Sequence, residues 1–277
     1  MSNYYCLIAG LPELHLDDQK LPFTTASFRE EVYDQLTCAD QRVVDLFFLR
    51  YDNANLLRFL KDKEAALDPR GKLSAEDLEA MVKQVKEGDD IEGAIAPYFQ
   101  VFLQQYFQEK AGDEIVLLED VLSTLYFEYA LRSSNDFAKH LFEFNLNLNN
   151  LLVASQGRKY GFDTDAYILG DNVVAKALRT SSARDWGLSA EIDYLEAVQR
   201  ITEEKDIEQK ERKIDHLKWE WLEEQTFFHY FSVERIIAFM LRLEILERWQ
   251  ELDKAKGEAN LREMIARLKE EVTLPEE

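Results

Sequence analysis

Apolar residues recur along this chain at helical spacing, with little to interrupt them. Ile115, Leu118, Leu122, Leu125 and Tyr129 step by three, four, three and four, which puts them on one face of a helix. Ile214, Leu217, Trp221 and Phe228 repeat the pattern further on. Only 10 Gly and 5 Pro punctuate 277 residues, so the elements must be long, which favours helices. Strict alternation is scarce, and the segment 4–9 is the one tolerable strand candidate. The fold class expected is all-α. A chain of this length exceeds what one hydrophobic core comfortably serves, so two or three packed subdomains are expected.

Start and stop signals divide the chain. Ser27 with Glu30, Thr37 with Asp40, and Ser74 with Asp77 pair a capping hydroxyl with a carboxylate three residues on. Pro97 suits a first helical turn, where its missing N–H has no partner to lose. Gly88, Gly112, Gly157 and Gly257 each follow a periodic segment and read as stops. Helices are therefore expected near 28–36, 39–50, 53–65, 75–87, 96–110, 114–132, 135–155, 171–180, 190–226, 233–256 and 259–271. The charged run TEEKDIEQKERK, 202–213, reads as a solvated stretch of one long helix, with Asp206–Lys210 and Glu208–Arg212 as four-apart pairs.

Charge narrows the partners. Lys plus Arg number 33 against 54 Asp plus Glu, a formal net of -21, which repels phosphate backbones and anionic lipid heads. Nucleic acid and a bare membrane surface are thus disfavoured, and a basic protein or peptide is easier to accommodate. The same charge also serves solubility. Cys6 and Cys38 are too few for a disulfide framework or a zinc site, so a reducing cytoplasm is expected. The opening MSNYYCLIAGLPEL has no basic residue ahead of its apolar stretch and makes a poor signal peptide. FSVERIIAFMLRLEIL is broken by Arg235, Arg242 and Glu244, so no bilayer-spanning segment is expected.

Sites of chemistry are hard to find. His216, Glu220 and Glu224 line one helix face, but a carboxylate-bridged di-metal site also needs a Glu-x-x-His pair, which is missing. An exposed charged stripe is the favoured reading, and a metal-dependent hydrolase the remote one. His15, His140, His216 and His229 lie in unrelated contexts, and there is no Gly-x-Ser-x-Gly elbow. GRKYG, 157–161, lacks the phosphate-loop pattern. Asp52, Asn53 and Asn55 lack the Gly and distal Glu of a calcium loop. Ser181 and Ser182 could hold an anion beside Arg179 and Arg184, although a turn between helices is the favoured role. No catalytic residue, cofactor or metal is assigned.

One echo stands out. RYDNANLLRFL from Arg50 and NLNLNNLLVAS from Asn145 both read as an amide-rich helix entry followed by a Leu-Leu pair, with Asn55 and Asn150 as matching positions. Leu73 and Ile168 follow these asparagines at equal distance, after loops rich in Gly, Asp and basic residues. Asp52, Asn53, Asn55 and Arg58, with Asn147, Asn149 and Asn150, are the repeat-start residues.

The stretch 49–81, LRYDNANLLRFLKDKEAALDPRGKLSAEDLEAM, resembles the repeated unit of the central-stalk subunit of V- and A-type ATPases, called C in prokaryotes and d in eukaryotes. In that family an Asp and a nearby Asn open a helix ending in Leu-Arg, and a Gly-containing loop and a Leu-Ser helix start follow. The corresponding residues are Asp52, Asn55, Leu57, Arg58, Gly71, Leu73 and Ser74. Asn147 to Leu152, with AKALRTSSARDWGLSAEIDYLEAV (175–198), fits the next repeat. FSVERIIAFMLRLEILERWQEL (231–252) is similar to the terminal unit through Ala238, Phe239, Glu244 and Arg248, although Trp249 stands where that family has Asn. The chain is also shorter than the typical subunit. It looks more like a divergent bacterial branch that accompanies V-type ATPase subunits.

The resemblance implies three pseudo-threefold-related helical lobes forming a funnel, taken here as 1–95, 96–200 and 201–277. It implies a non-catalytic adaptor, peripheral to the inner membrane, whose partners are the central shaft subunits and the proteolipid ring. Arg179, Ser181, Ser182, Glu244 and Arg248 are the residues expected to face those partners. The alternative from the residues alone is a generic α-helical scaffold that binds some other cytoplasmic protein.

Overall fold

The computed structural model describes residues 4–18, 20–109 and 118–271, and every regular element among them is helical. From the amino end these are α1 (Tyr5–Ala9), α2 (Thr25–Ser27), α3 (Cys38–Lys61), α4 (Ala75–Glu87) and α5 (Tyr98–Glu109). They continue with α6 (Leu118–Ala130), α7 (Asp136–Tyr160), α8 (Val173–Thr180), α9 (Leu195–Glu203), α10 (Ile207–Gln225) and α11 (Val233–Glu271). The all-α expectation holds. The strand candidate 4–9 is helical instead, and its position is fixed by Tyr4, whose N–H donates to the Phe231 carbonyl at 2.9 Å.

The chain gathers into two compact units. One joins the residues up to Leu36 with those from Lys218 onward, and the other spans Thr37–Leu217. The first brings distant parts of the sequence together through α11. The Thr25 N–H donates to Glu247 Oε1 at 2.7 Å and its hydroxyl to Oε2, while Phe23 meets Phe239 edge-on at 5.7 Å. Ile236, Ile237, Met240 and Leu243 are fully buried along α11. Arg242 is buried with them. Its guanidinium donates to Glu223 Oε1 at 2.9 Å and lies 5.1 Å from the Trp219 ring, whose Nε1 donates to the same oxygen. Desolvation, with Arg235 nearby, lowers the Arg242 pKa, and Glu223 opposes that.

The second unit is a bundle in which α3 packs on α4 and α6, α5 on α4 and α6, and α7 on α6, α8 and α9. Aromatic rings fill its centre. Phe47 stacks on Phe142 at 4.8 Å, and Tyr126 meets Phe142 edge-on at 5.5 Å. Phe99, Phe102 and Leu103 of α5 have no exposed surface.

Several expected boundaries fall elsewhere. The segments 39–50 and 53–65 are one unbroken helix, α3, so Asp52, Asn53 and Asn55 sit mid-helix and open nothing. Asn147, Asn149 and Asn150 likewise lie inside α7. Gly157 is a buried interior residue of α7, and the left-handed cap is Gly161 at φ 72°. A Cβ at Gly157 would lie 2.1 Å from Thr164 Cγ2, so that glycine serves close approach to the returning chain. Gly257 lies within α11, and Gly112 falls outside the described residues. Gly88 does stop α4, at φ 87°.

The expected long helix over 190–226 is two helices. Glu204 Oε1 accepts from the Lys205 and Asp206 N–H groups, and Asp206 Oδ1 accepts from Gln209 at 2.9 Å, so side chains end α9 and cap α10. Lys213, bonded to Glu204 at 2.6 Å, helps hold that carboxyl down to about 2. Phe228 lies beyond α10 and is exposed, so it leaves the apolar face proposed for it. Ser27 is not a cap. Thr24 holds that place, accepting from the Ser27 N–H, and a π-helical turn over Phe28–Val32 follows. Ser74 and Asp77 form the full reciprocal box.

Candidate functional site

The polar residues of the echo converge on two matching devices. In α3, Asn55 is buried and its side-chain amide faces the loop that returns toward α4. Nδ2 donates to the Asp68 carbonyl at 3.0 Å, and Oδ1 accepts from the Asp68 N–H at 2.7 Å. One turn earlier, buried Asp52 accepts with Oδ1 from the N–H groups of Lys72 (2.7 Å) and Leu73 (2.9 Å), directly before the α4 cap Ser74. In α7, Asn150 does the same for Leu169, donating to its carbonyl and accepting from its N–H, both at 2.8 Å. Asn147 Oδ1 accepts from Asn172 Nδ2 at 2.8 Å, and Asn172 caps α8 by accepting from Ala175.

A primary amide presents one donor and one acceptor side by side, as a peptide group does. Each asparagine therefore pairs with a loop residue on both its backbone groups, and at Asp68 the carbonyl also accepts from the Gly71 N–H at 3.1 Å. The shared arrangement corrects one sequence pairing. Asp68 matches Leu169 and Ser74 matches Asn172, so the equal-distance partners Leu73 and Ile168 are not equivalent.

The surroundings are specific to each device. Gly71 passes so close that a Cβ there would lie 2.5 Å from Asn55 Nδ2 and 2.7 Å from Asp52 Oδ1. Arg70 grips the Asp68 carboxylate through Nε and Nη2 at 2.9 and 2.7 Å, holding its carboxyl below the ordinary value, and lies 4.4 Å from the Tyr51 ring. Arg179 crosses the second loop, donating to the carbonyls of Ile168 (2.5 Å) and Gly170 (3.0 Å). Asn53 accepts from the Tyr98 hydroxyl at 2.6 Å. Burial pushes the Tyr98 phenol well up, with Tyr126 and Asp52 adding to it, so it stays a neutral donor. Burial likewise raises Tyr194, against a hydrogen bond to Asn147.

Other sequence candidates separate from this cluster. Arg58 and Asn149 are exposed. Ser181 and Ser182 lie in the turn favoured for them over an anion site: Arg158 donates to the carbonyls of Ser181, Ala183 and Arg184, and its guanidinium lies 3.9 Å from the Trp186 ring. Arg179, turned onto the 168–170 carbonyls, is not beside that turn's hydroxyls as a ligand. Ser182 is exposed. Glu244 is buried, which corrects its assignment to a partner-facing surface, while Arg248 is exposed over Trp249 at 5.4 Å. Arg158 and Asn172 are the residues that sequence reasoning missed. Asn172 carried a signal, a capping residue directly before an apolar run. Arg158 carried none, because its carbonyl acceptors are 23 to 26 residues away.

Among the described residues, no group of three or more His, Cys, Asp or Glu side chains is placed to hold a metal ion. Among them, too, no helix is long and apolar enough to cross a membrane. A comparison with curated proteins gave no match, and neither did one with solved structures. A family model described as "Protein of unknown function (DUF2764)" matches residues 1–272. The chain belongs to the DUF2764 family.

Proposed function

We propose that this chain is a non-catalytic adaptor of a V-type ATPase, related to the C/d stalk subunit, that links the central rotor shaft to the membrane proteolipid ring. One observation carries the reading. Of the residues through which 49–81 resembles the stalk-subunit repeat, Asp52, Asn55, Gly71, Leu73 and Ser74 meet in a single hydrogen-bonded cluster. The cluster recurs around Asn147, Asn150 and Asn172. Motif residues scattered over unrelated surfaces would have left the resemblance without a physical basis.

In this reading the protein sits at the cytoplasmic face of the membrane through the ATPase complex, needs no cofactor, and has the shaft subunits and ring as partners. Affinity purification of a tagged chain from its native host tests it. Shaft or ring subunits should be retained at stoichiometric levels, and their consistent absence sinks the proposal.

A second reading, a scaffold for some other protein, draws on the exposed aromatic run after α10. Phe227 is 64%, Phe228 80% and Tyr230 61% exposed, a concentration unusual for a surface without a partner. If that reading holds, Phe227→Ser with Phe228→Ser abolishes capture of a non-ATPase protein.

A further inference from the structure

The helix pair α5–α6 carries a furrow whose two ends differ in charge. Two cavities of about 650 and 800 Å³ share Leu125 and Glu128 of α6, so they are halves of one depression. Val101 and Gln105, one turn apart on α5, line successive halves. From Asp120 to Ala130, α6 rises roughly 15 Å, room for about three turns of a helix. The floor is apolar, from Val43 and Val101 through Leu125 to Val121, and Val101 is 41% exposed despite its position there.

One end holds Arg42 and Arg132, both exposed. Among the described residues neither guanidinium has a hydrogen-bond or ion-pair partner, in a chain where acidic side chains outnumber basic ones 54 to 33. The other end holds Asp120 and Asp171, and also Arg179, whose guanidinium is turned onto the Ile168 and Gly170 carbonyls. Asp171 has Lys176 at 3.1 Å, whereas Asp120 has no such partner among the described residues. Burial, with Glu119 nearby, raises the Asp120 carboxyl. Glu128 stands exposed in the shared middle.

We infer that this furrow docks a partner protein's amphipathic helix of about three turns, with acidic residues in its first turn and basic residues in its last. An extended peptide would lay unpaired backbone groups on the apolar floor, whereas a helix satisfies its own. Charge fixes the direction. Acidic residues against Arg42 and Arg132, and basic ones against Asp120, also suit the partner helix's own dipole, which favours anions at its start and cations at its end. The inference goes beyond the adaptor reading and depends only on this surface.

Photocrosslinking of the full chain in native-host cells tests it. Val101→p-benzoylphenylalanine places the probe on the floor, and the same substitution at Glu196, 82% exposed, is the control. The Val101 probe should give one adduct, mapped by mass spectrometry to a helical segment with the stated charge order. Its yield should fall about tenfold in Arg42→Glu/Arg132→Glu. Asp120→Lys should lower it from the opposite end. Circular dichroism verifies that these variants fold, and Arg42→Ala/Arg132→Ala replaces the reversal if it does not. The inference is overturned by no adduct above the control, by crosslinks only to lipid or a second copy of this chain, by a segment without that charge order, or by an unchanged yield in the charge variants.

Discussion

In the hairpin α3–α4, 13 residues separate Asn55 from the loop residue it pairs with, and in α7–α8 the corresponding separation from Asn150 is 19. The loops differ in length, and the residues held are an aspartate and a leucine. Yet the geometry of the pairing is the same, because the amide addresses peptide groups and ignores side chains. What differs is the reinforcement. The first hairpin uses a carboxylate on two backbone N–H groups, a glycine packed against both clamp residues, and the Arg70–Asp68 pair. The second uses an amide–amide bond and an arginine across two carbonyls. The asparagine is the common element, and the rest is local adaptation.

The largest effect should come from inverting that element. Asn55→Asp and Asn150→Asp would set a carboxylate oxygen against the Asp68 or Leu169 carbonyl, costing about 3–5 kcal/mol in urea unfolding. Asn150→Ala leaves both Leu169 backbone groups without the amide, at roughly 2–4 kcal/mol, whereas Asn55→Ala orphans the Asp68 N–H while its carbonyl keeps the Gly71 N–H, at roughly 1–3 kcal/mol. A cost near zero at one site alone would break the equivalence of the hairpins. Asn147→Asp should be far milder, since Asn147 acts there as an acceptor from Asn172.

Glycine substitution sharpens the contrast next. Gly71→Ala pushes a methyl into Asn55 and Asp52, and calorimetry should register a loss of about 2 kcal/mol. Gly170→Ala, strained by φ 73° with Leu146 at 3.3 Å, should cost about 1 kcal/mol. The caps follow. Ser74→Ala should lose about 1 kcal/mol and Asn172→Ala somewhat more, because Asn172 also bonds Asn147; helix-resolved hydrogen exchange separates the two.

Acid gives the smallest difference, and only one hairpin should feel it. Asp68 has a folded-state value below its ordinary 3.8. Its contribution is therefore present above that unfolded value and lost as pH falls through the lower folded one. Leu169 has nothing to titrate. Urea midpoints measured downward from pH 5 should drop more gently in Asp68→Asn than in the parent; identical slopes would remove Asp68 from the account.

The helical class and the pairing of Asn55 with Asn150 were legible in the sequence, since both rest on local spacing. The role of the asparagines was not. A cluster of Asp and Asn beside Leu46–Leu49 reads as a cap, because those side chains ordinarily compete for backbone groups at helix ends. Here Asp52 and Asn55 find partners 13 to 21 residues onward in the loop, and Asn53 takes the Tyr98 hydroxyl of α5, 45 residues on, so the helix backbone stays intact. The break at 204–206 was within reach, because Asp206 followed by Gln209 is a start signal of the kind recognised at Ser74. The origin of the first unit was out of reach: Thr25 and Glu247 meet across 222 residues of sequence.

A clamp that grips the main chain also separates a connection's ends from its contents. Between Asp62 and Leu67 the first hairpin runs largely through exposed residues, and the matching stretch of the second, 161–168, is two residues longer before its own anchor. The stretch around Lys63 and Glu64 is therefore where this chain can be lengthened, by drift or by an inserted epitope, with the mouth of the loop still shut by Asn55.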